Sequence, residues 1–106
     1  MLTEVSKHGN HSDMGELGRR IQELRQKRKL TIRALAEAVG KTPGYLSRVE
    51  TRDEIPAAEL LCQMSEVLKE KPETLLDLAK KDLLRRAEDQ IEKKSADALN
   101  LYRRSR

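Results

Sequence analysis

Thr31-Ile-Arg-Ala-Leu-Ala-Glu-Ala-Val-Gly-Lys-Thr-Pro-Gly-Tyr-Leu-Ser-Arg-Val-Glu50 reads as two short helices joined by one tight turn. Leu35, Ala36 and Val39 form the apolar set of the first. Gly40 ends it, because a positive φ is cheap only for glycine. Thr42 is placed to cap the second helix, Pro43 fits its first turn, and Leu46 and Val49 form its inner face. Helices this short cannot bury their own apolar stripe, so both must pack on other helices.

Those other helices are visible on either side. Leu17, Ile21 and Leu24 recur at i, i+4 and i+7, which predicts an amphipathic first helix. Its last turn, Arg25 to Lys29, is basic and suits the negative end of the helix dipole. Leu30 then leads into Thr31, a good N-cap. After the quoted stretch, residues 51–55 read as a loop and Pro56 opens a fourth helix carrying Leu60, Leu61, Met64, Val67 and Leu68. Pro72 starts a fifth with Leu75, Leu76, Leu78 and Ala79. Beyond Lys80 the pattern stays helical but weaker, with Leu83, Leu84, Ala87 and Ile91 as a narrow stripe, and Ser95 is predicted to cap a last short helix holding Ala98, Leu99 and Tyr102. Residues 1–14 are polar and predict a flexible arm. The expected organisation is therefore an arm (1–14), an all-α five-helix domain (15–79) and a helical C-terminal extension (80–106).

Composition supports this class. Aromatic residues make up 2% of the 106 residues, with no Phe or Trp, so the core must be aliphatic, which favours a helical bundle over a β-sandwich. The net charge of +4 and a pI of about 9.4 suit a polyanionic partner without demanding one. Residues 16–30 carry six basic and two acidic groups, and residues 80–106 carry nine and five. Residues 31–79 carry six and nine, so the positive charge lies at the edges of the two-helix unit.

Several chemistries find no support. The single cysteine, Cys62, cannot form a disulfide within the chain and reads as a small buried thiol in a reduced, cytoplasmic compartment. His8 and His11 are three apart but have no metal-ligand set around them. No run approaches the ~20 apolar residues of a membrane span. Nothing resembles a phosphate loop or a nucleophile–base arrangement, so neither an enzyme nor a cofactor is expected.

The bare outer face of the 43–50 helix has the form of a segment that enters a DNA major groove. The chain here resembles the phage repressor/Cro-type, or XRE, helix-turn-helix family over about residues 16–79. The resemblance is carried by Leu24-Arg25, Leu30-Thr31, Leu35-Ala36 with Gly40, Tyr45 to Glu50, Pro56 with the Leu-rich fourth helix, and Pro72 to Leu76. It implies a five-helix fold whose third helix reads double-stranded DNA, in a regulator, of the repressor kind, that binds a two-fold operator as a homodimer. It further implies that Thr31, with Ile32 and Arg33 in the first turn, faces a phosphate. Pro43, Gly44, Ser47 and Arg48 would face bases, and Lys41 and Tyr45 would lie near the sugar-phosphate backbone, with Tyr45 alternatively covering the core edge; Thr42 and Arg52 complete the expected DNA-contacting set. Arg25 and Glu50 match a pair that in the family forms a buried salt bridge.

Departures from the family pattern keep a second reading open. Ile32 stands where relatives often have Gln and cannot donate a hydrogen bond, so Arg33 would have to replace it. Pro43-Gly44 offers no hydrogen-bonding side chain, which leaves Arg48 as the one side chain there able to bind guanine in bidentate fashion. The loop Arg52-Asp-Glu54 is net negative and should repel phosphates. A protein-interaction or antitoxin-like module that keeps the fold but binds DNA weakly is the alternative. No small-molecule effector is indicated.

Overall fold

Five helices follow one another in the computed structural model, which describes residues 15–52 and 54–105. The arm at 1–14, with His8 and His11, lies outside the described residues, as do Asp53 and Arg106. The helices are α1 (Glu16–Lys27), α2 (Ile32–Ala38), α3 (Pro43–Thr51), α4 (Ala58–Leu68) and α5 (Pro72–Arg104).

The punctuation of the central pair follows from single residues. The Thr31 hydroxyl accepts the Ala34 N–H at 3.0 Å and the Thr42 hydroxyl accepts the Tyr45 N–H at 3.1 Å, satisfying donors that the first turns of α2 and α3 leave open. Gly40 sits at φ 72°, and a Cβ there would meet nothing within 4 Å. Its requirement is thus one of backbone conformation alone. Two other helix ends use the same left-handed geometry without glycine, at Lys29 and Lys69, both at φ 58°.

The core is aliphatic. Leu17 and Ile21 of α1, Leu35 of α2, Leu46 of α3, Leu61, Met64 and Leu68 of α4 and Leu75 of α5 are all fully buried. Each contributes about 1.5–3 kcal/mol by leaving water. Leu76 and Leu78 are half-buried against this cluster, and Cys62 is half-buried rather than sealed in.

Two expected helix starts differ from the structure. Pro56 does not open α4: it is buried, Ala57 takes the extended N-cap position, and the helix starts at Ala58. Packing of the Pro56 ring, rather than its fixed φ, decides its place. Ser95 caps no separate helix, because α5 runs unbroken from Pro72 to Arg104. No Gly or Pro interrupts that span, and one serine does not break a helix. At 33 residues α5 is about 50 Å long, and the division expected at residue 80 falls inside it. From Ala87 to Ser105 every residue is exposed.

The packed part of α5 ends in an unexpected contact. Asp82 is buried, and its carboxylate accepts the N–H groups of Glu16 at 3.1 Å and Leu17 at 3.0 Å. It caps α1 from 65 residues away, where the local N-cap residue, Gly15, has no side chain to do so. A Cβ at Gly15 would collide with that carboxylate. Negative charge also suits this end of the helix dipole. Asp82→Ala is expected to cost about 2 kcal/mol, seen as a lower urea midpoint with an unchanged slope.

Candidate nucleic-acid interface

Helix α3 has two unlike faces. Leu46, Val49 and Glu50 are buried on the inner one. Burial of a glutamate demands partners, and Arg25 of α1 supplies them. Its Nε donates to Glu50 Oε2 at 2.8 Å and its Nη2 to Oε1 at 3.1 Å, while Nη1 donates to the Leu30 carbonyl at 2.8 Å. One guanidinium thus joins α1, α3 and the turn before α2. The two planar groups meet in parallel, which fixes direction as well as distance.

Gly18 completes the seat. A Cβ there would lie 2.6 Å from the Val49 carbonyl oxygen and 2.7 Å from that of Glu50. Only a residue without a side chain lets α1 approach the last turn of α3 this closely. Two other basic groups are also engaged within the fold: Arg20 Nη2 of α1 donates to Glu70 at 2.9 Å, and Arg28 Nε, just past the end of α1, donates to the Leu68 carbonyl at 3.3 Å. Arg20 holds the Glu70 carboxyl below its ordinary pKa range, chiefly through that hydrogen bond. Much of the positive charge between residues 16 and 30 therefore holds the fold together.

The outer face of α3 is open. Gly44, Arg48 and Thr51 are exposed and Ser47 is half-buried, and their spacing of i, i+3, i+4 and i+7 places them on one side. A Cβ at Gly44 would meet nothing within 4 Å. Thr51 was not singled out by sequence reasoning, although the same spacing points to it. Its hydroxyl donates to the Ser47 carbonyl at 2.8 Å. Pro43 is half-buried at the start of the helix, and Arg52 is exposed just past its end.

The other expected DNA-contacting residues are Lys41, Thr42 and Tyr45 at the start of α3 and Thr31, Ile32 and Arg33 at the start of α2. Thr31, Arg33, Lys41 and Thr42 are exposed. Ile32 is half-buried and packs on the core, so its side chain serves the fold. Tyr45 is also half-buried against the core, with Lys41 Nζ 5.8 Å and Arg48 Cζ 5.7 Å from its ring centre. These are cation–π distances. Burial, and secondly Glu54, push the Tyr45 phenol above its ordinary pKa, against the opposing pull of Arg48. The hydroxyl is therefore a neutral donor at physiological pH. Glu54 itself reaches Arg48, with Oε1 3.7 Å from Nε.

A model of the helix-turn-helix family matches residues 21–80. The chain belongs to the helix-turn-helix family, and to its XRE type. Solved helix-turn-helix structures superpose on it. SinR, the master regulator for biofilm formation, solved in complex with DNA, is 33% identical over 57% of this chain and 97% of its own, with a TM-score of 0.53. ClgR, the clp gene regulator from Corynebacterium glutamicum, is 29% identical over 73% of this chain and 83% of its own, with a TM-score of 0.54. The restriction-modification controller protein C.AhdI from Aeromonas hydrophila is 25% identical over 61% of this chain and 94% of its own, with a TM-score of 0.54. No curated protein sequence matches the chain. In the helix-turn-helix frame α2 and α3 are the paired helices, and Arg25, Glu50 and Gly18 set the angle at which α3 is presented. No described helix is long and apolar enough to cross a membrane.

Proposed function

We propose that this helix-turn-helix protein is a cytoplasmic DNA-binding transcription regulator that lays α3 in the major groove and represses by occupying promoter DNA. One observation carries the reading: α3 is locked by Leu46, Val49 and Glu50 on one side while Gly44, Ser47, Arg48 and Thr51 lie bare on the other. Arg48 reads guanine, the uncrowded backbone at Gly44 approaches the duplex closely, and Arg33, Lys41, Tyr45 and Arg52 contact phosphates. The DNA-bound state of the structurally similar SinR supports this use of the fold.

The active species in this reading is a homodimer. Leu83, Leu84 and Ile91 are each at least half exposed on α5, and Leu83 and Leu84 border an apolar groove lined also by Ile55, Pro56, Leu61 and Leu76. A second copy of the chain is the occupant that gives a two-fold reader. Residues 15–79 then read DNA, and residues 80–106 add contact between the copies.

Selection of bound genomic fragments by the purified protein tests both points. Recovered sites should contain two inverted half-sites about one helical turn apart. Arg48→Ala should bind the selected site about ten- to a hundredfold more weakly and discriminate poorly at one guanine position. Equal binding of all sequences by parent and variant would remove α3 from the role of reader. The acidic contact on Arg48 favours a second reading, an interaction module with weak DNA affinity. No retention of any duplex at low salt, with co-purification of a protein partner, would select it.

A further inference from the structure

We propose that Glu54 is a built-in competitor of DNA for Arg48, so that the reader helix carries its own brake. The inference rests on the reading of α3 as the DNA-facing helix. Its physical basis is a small cluster at the C-terminal end of α3. The Glu54 N–H donates to the Arg48 carbonyl at 3.3 Å, which anchors the acidic residue beside the very residue whose side chain it meets. The Glu54 carboxylate then lies 3.7 Å from Arg48 Nε. The Tyr45 ring, 5.7 Å from the guanidinium carbon, adds a second attractive surface for the same cation.

The Arg48 guanidinium therefore has a carboxylate and an aromatic ring as neighbours before any duplex arrives. To reach a base or a phosphate it must leave the carboxylate, and the carboxylate then stands near an anionic backbone. Both partners are about half exposed, at 53% and 43%, so solvent screens the pair. An exposed pair of this kind is worth up to about a fivefold factor at low salt. A bidentate guanine contact is worth about ten- to a hundredfold. The brake is thus weaker than a correct base contact. It lowers the affinity of every complex that uses Arg48 and abolishes none. Added salt weakens the brake together with the attraction to DNA, so the parent's affinity falls less steeply with salt than it would without Glu54.

Four chains test this: the parent, Glu54→Gln, Arg48→Ala and the double variant. Each is titrated with a mixed-sequence duplex and with the fragment the parent selects. Glu54 is exposed, so Glu54→Gln should keep the parent's thermal midpoint. The expected result is about a fivefold tightening by Glu54→Gln with Arg48 present, a clearly smaller tightening in the Arg48→Ala background, and a salt slope steeper by up to about one phosphate. Equal tightening in both backgrounds would show that Glu54 only repels phosphates and would overturn the brake while leaving α3 as reader. No tightening at all would overturn it too. If Arg48→Ala binds both duplexes as the parent does, the reading of α3 falls and the brake with it.

Discussion

Arg25→Met should remove about 3–5 kcal/mol of folding stability, measured as a fall in the urea midpoint. The change keeps most of the side chain's length and removes its charge and its donors. Glu50, only 1% exposed, would lose both of its guanidinium hydrogen bonds, and the Leu30 carbonyl would lose the third. A carboxylate left unpaired in an aliphatic core is the costly state, more than the loss of the pair itself. The double variant Arg25→Met/Glu50→Leu should therefore recover most of the deficit, since neither charge then remains inside. For a small domain holding about 5–15 kcal/mol in total, the single change is severe and the double one mild. A single variant within about 1 kcal/mol of the parent would mean that water reaches Glu50 and that the pair does not lock α3.

Gly18→Ala sets two physical effects against each other. Intrinsic propensity favours alanine by about 1 kcal/mol inside a helix. The added Cβ would press on the Val49 and Glu50 carbonyl oxygens at 2.6 and 2.7 Å, and both are backbone atoms that cannot rotate away. Overpacking of this kind costs about 1–3 kcal/mol or more. The contact should win, with a net loss of about 1–2 kcal/mol and a thermal midpoint lowered by about 5–10 °C. Because the displaced atoms belong to the last turn of α3, DNA affinity should fall as well, even at temperatures where the variant is folded. An unchanged or raised midpoint would show that α1 and α3 can separate freely, contrary to the seat described above.

The central pair of helices was legible in the sequence because its punctuation is local. Thr31, Gly40, Thr42 and Pro43 each act on their own turn, and each does so in the structure. The ends at Lys29 and Lys69 were not legible, since a lysine in the left-handed region carries no compositional sign of it. Arg25 and Glu50 could be paired only by resemblance, because nothing in a spacing of 25 residues announces a contact. Glu54 was readable as charge in a loop, but not as the neighbour of Arg48. Gly18 and Asp82 were missed for one reason: their roles exist only between elements distant in the chain. The stop expected at Ser95 failed because a helix can continue without a buried face to hold it, a matter of propensity that an apolar stripe does not report.

The Asp82 cap has a consequence for how the chain is made. Translation delivers α1 first and the carboxylate that closes its leading turn 65 residues later. Until then the opening N–H groups of α1 have only water as partner, and Gly15, the most permissive of residues, does nothing to hold them. Completion of the amino-terminal helix is thus deferred until the first third of α5 has been synthesised, and the nascent protein finishes folding by joining an early segment to a late one.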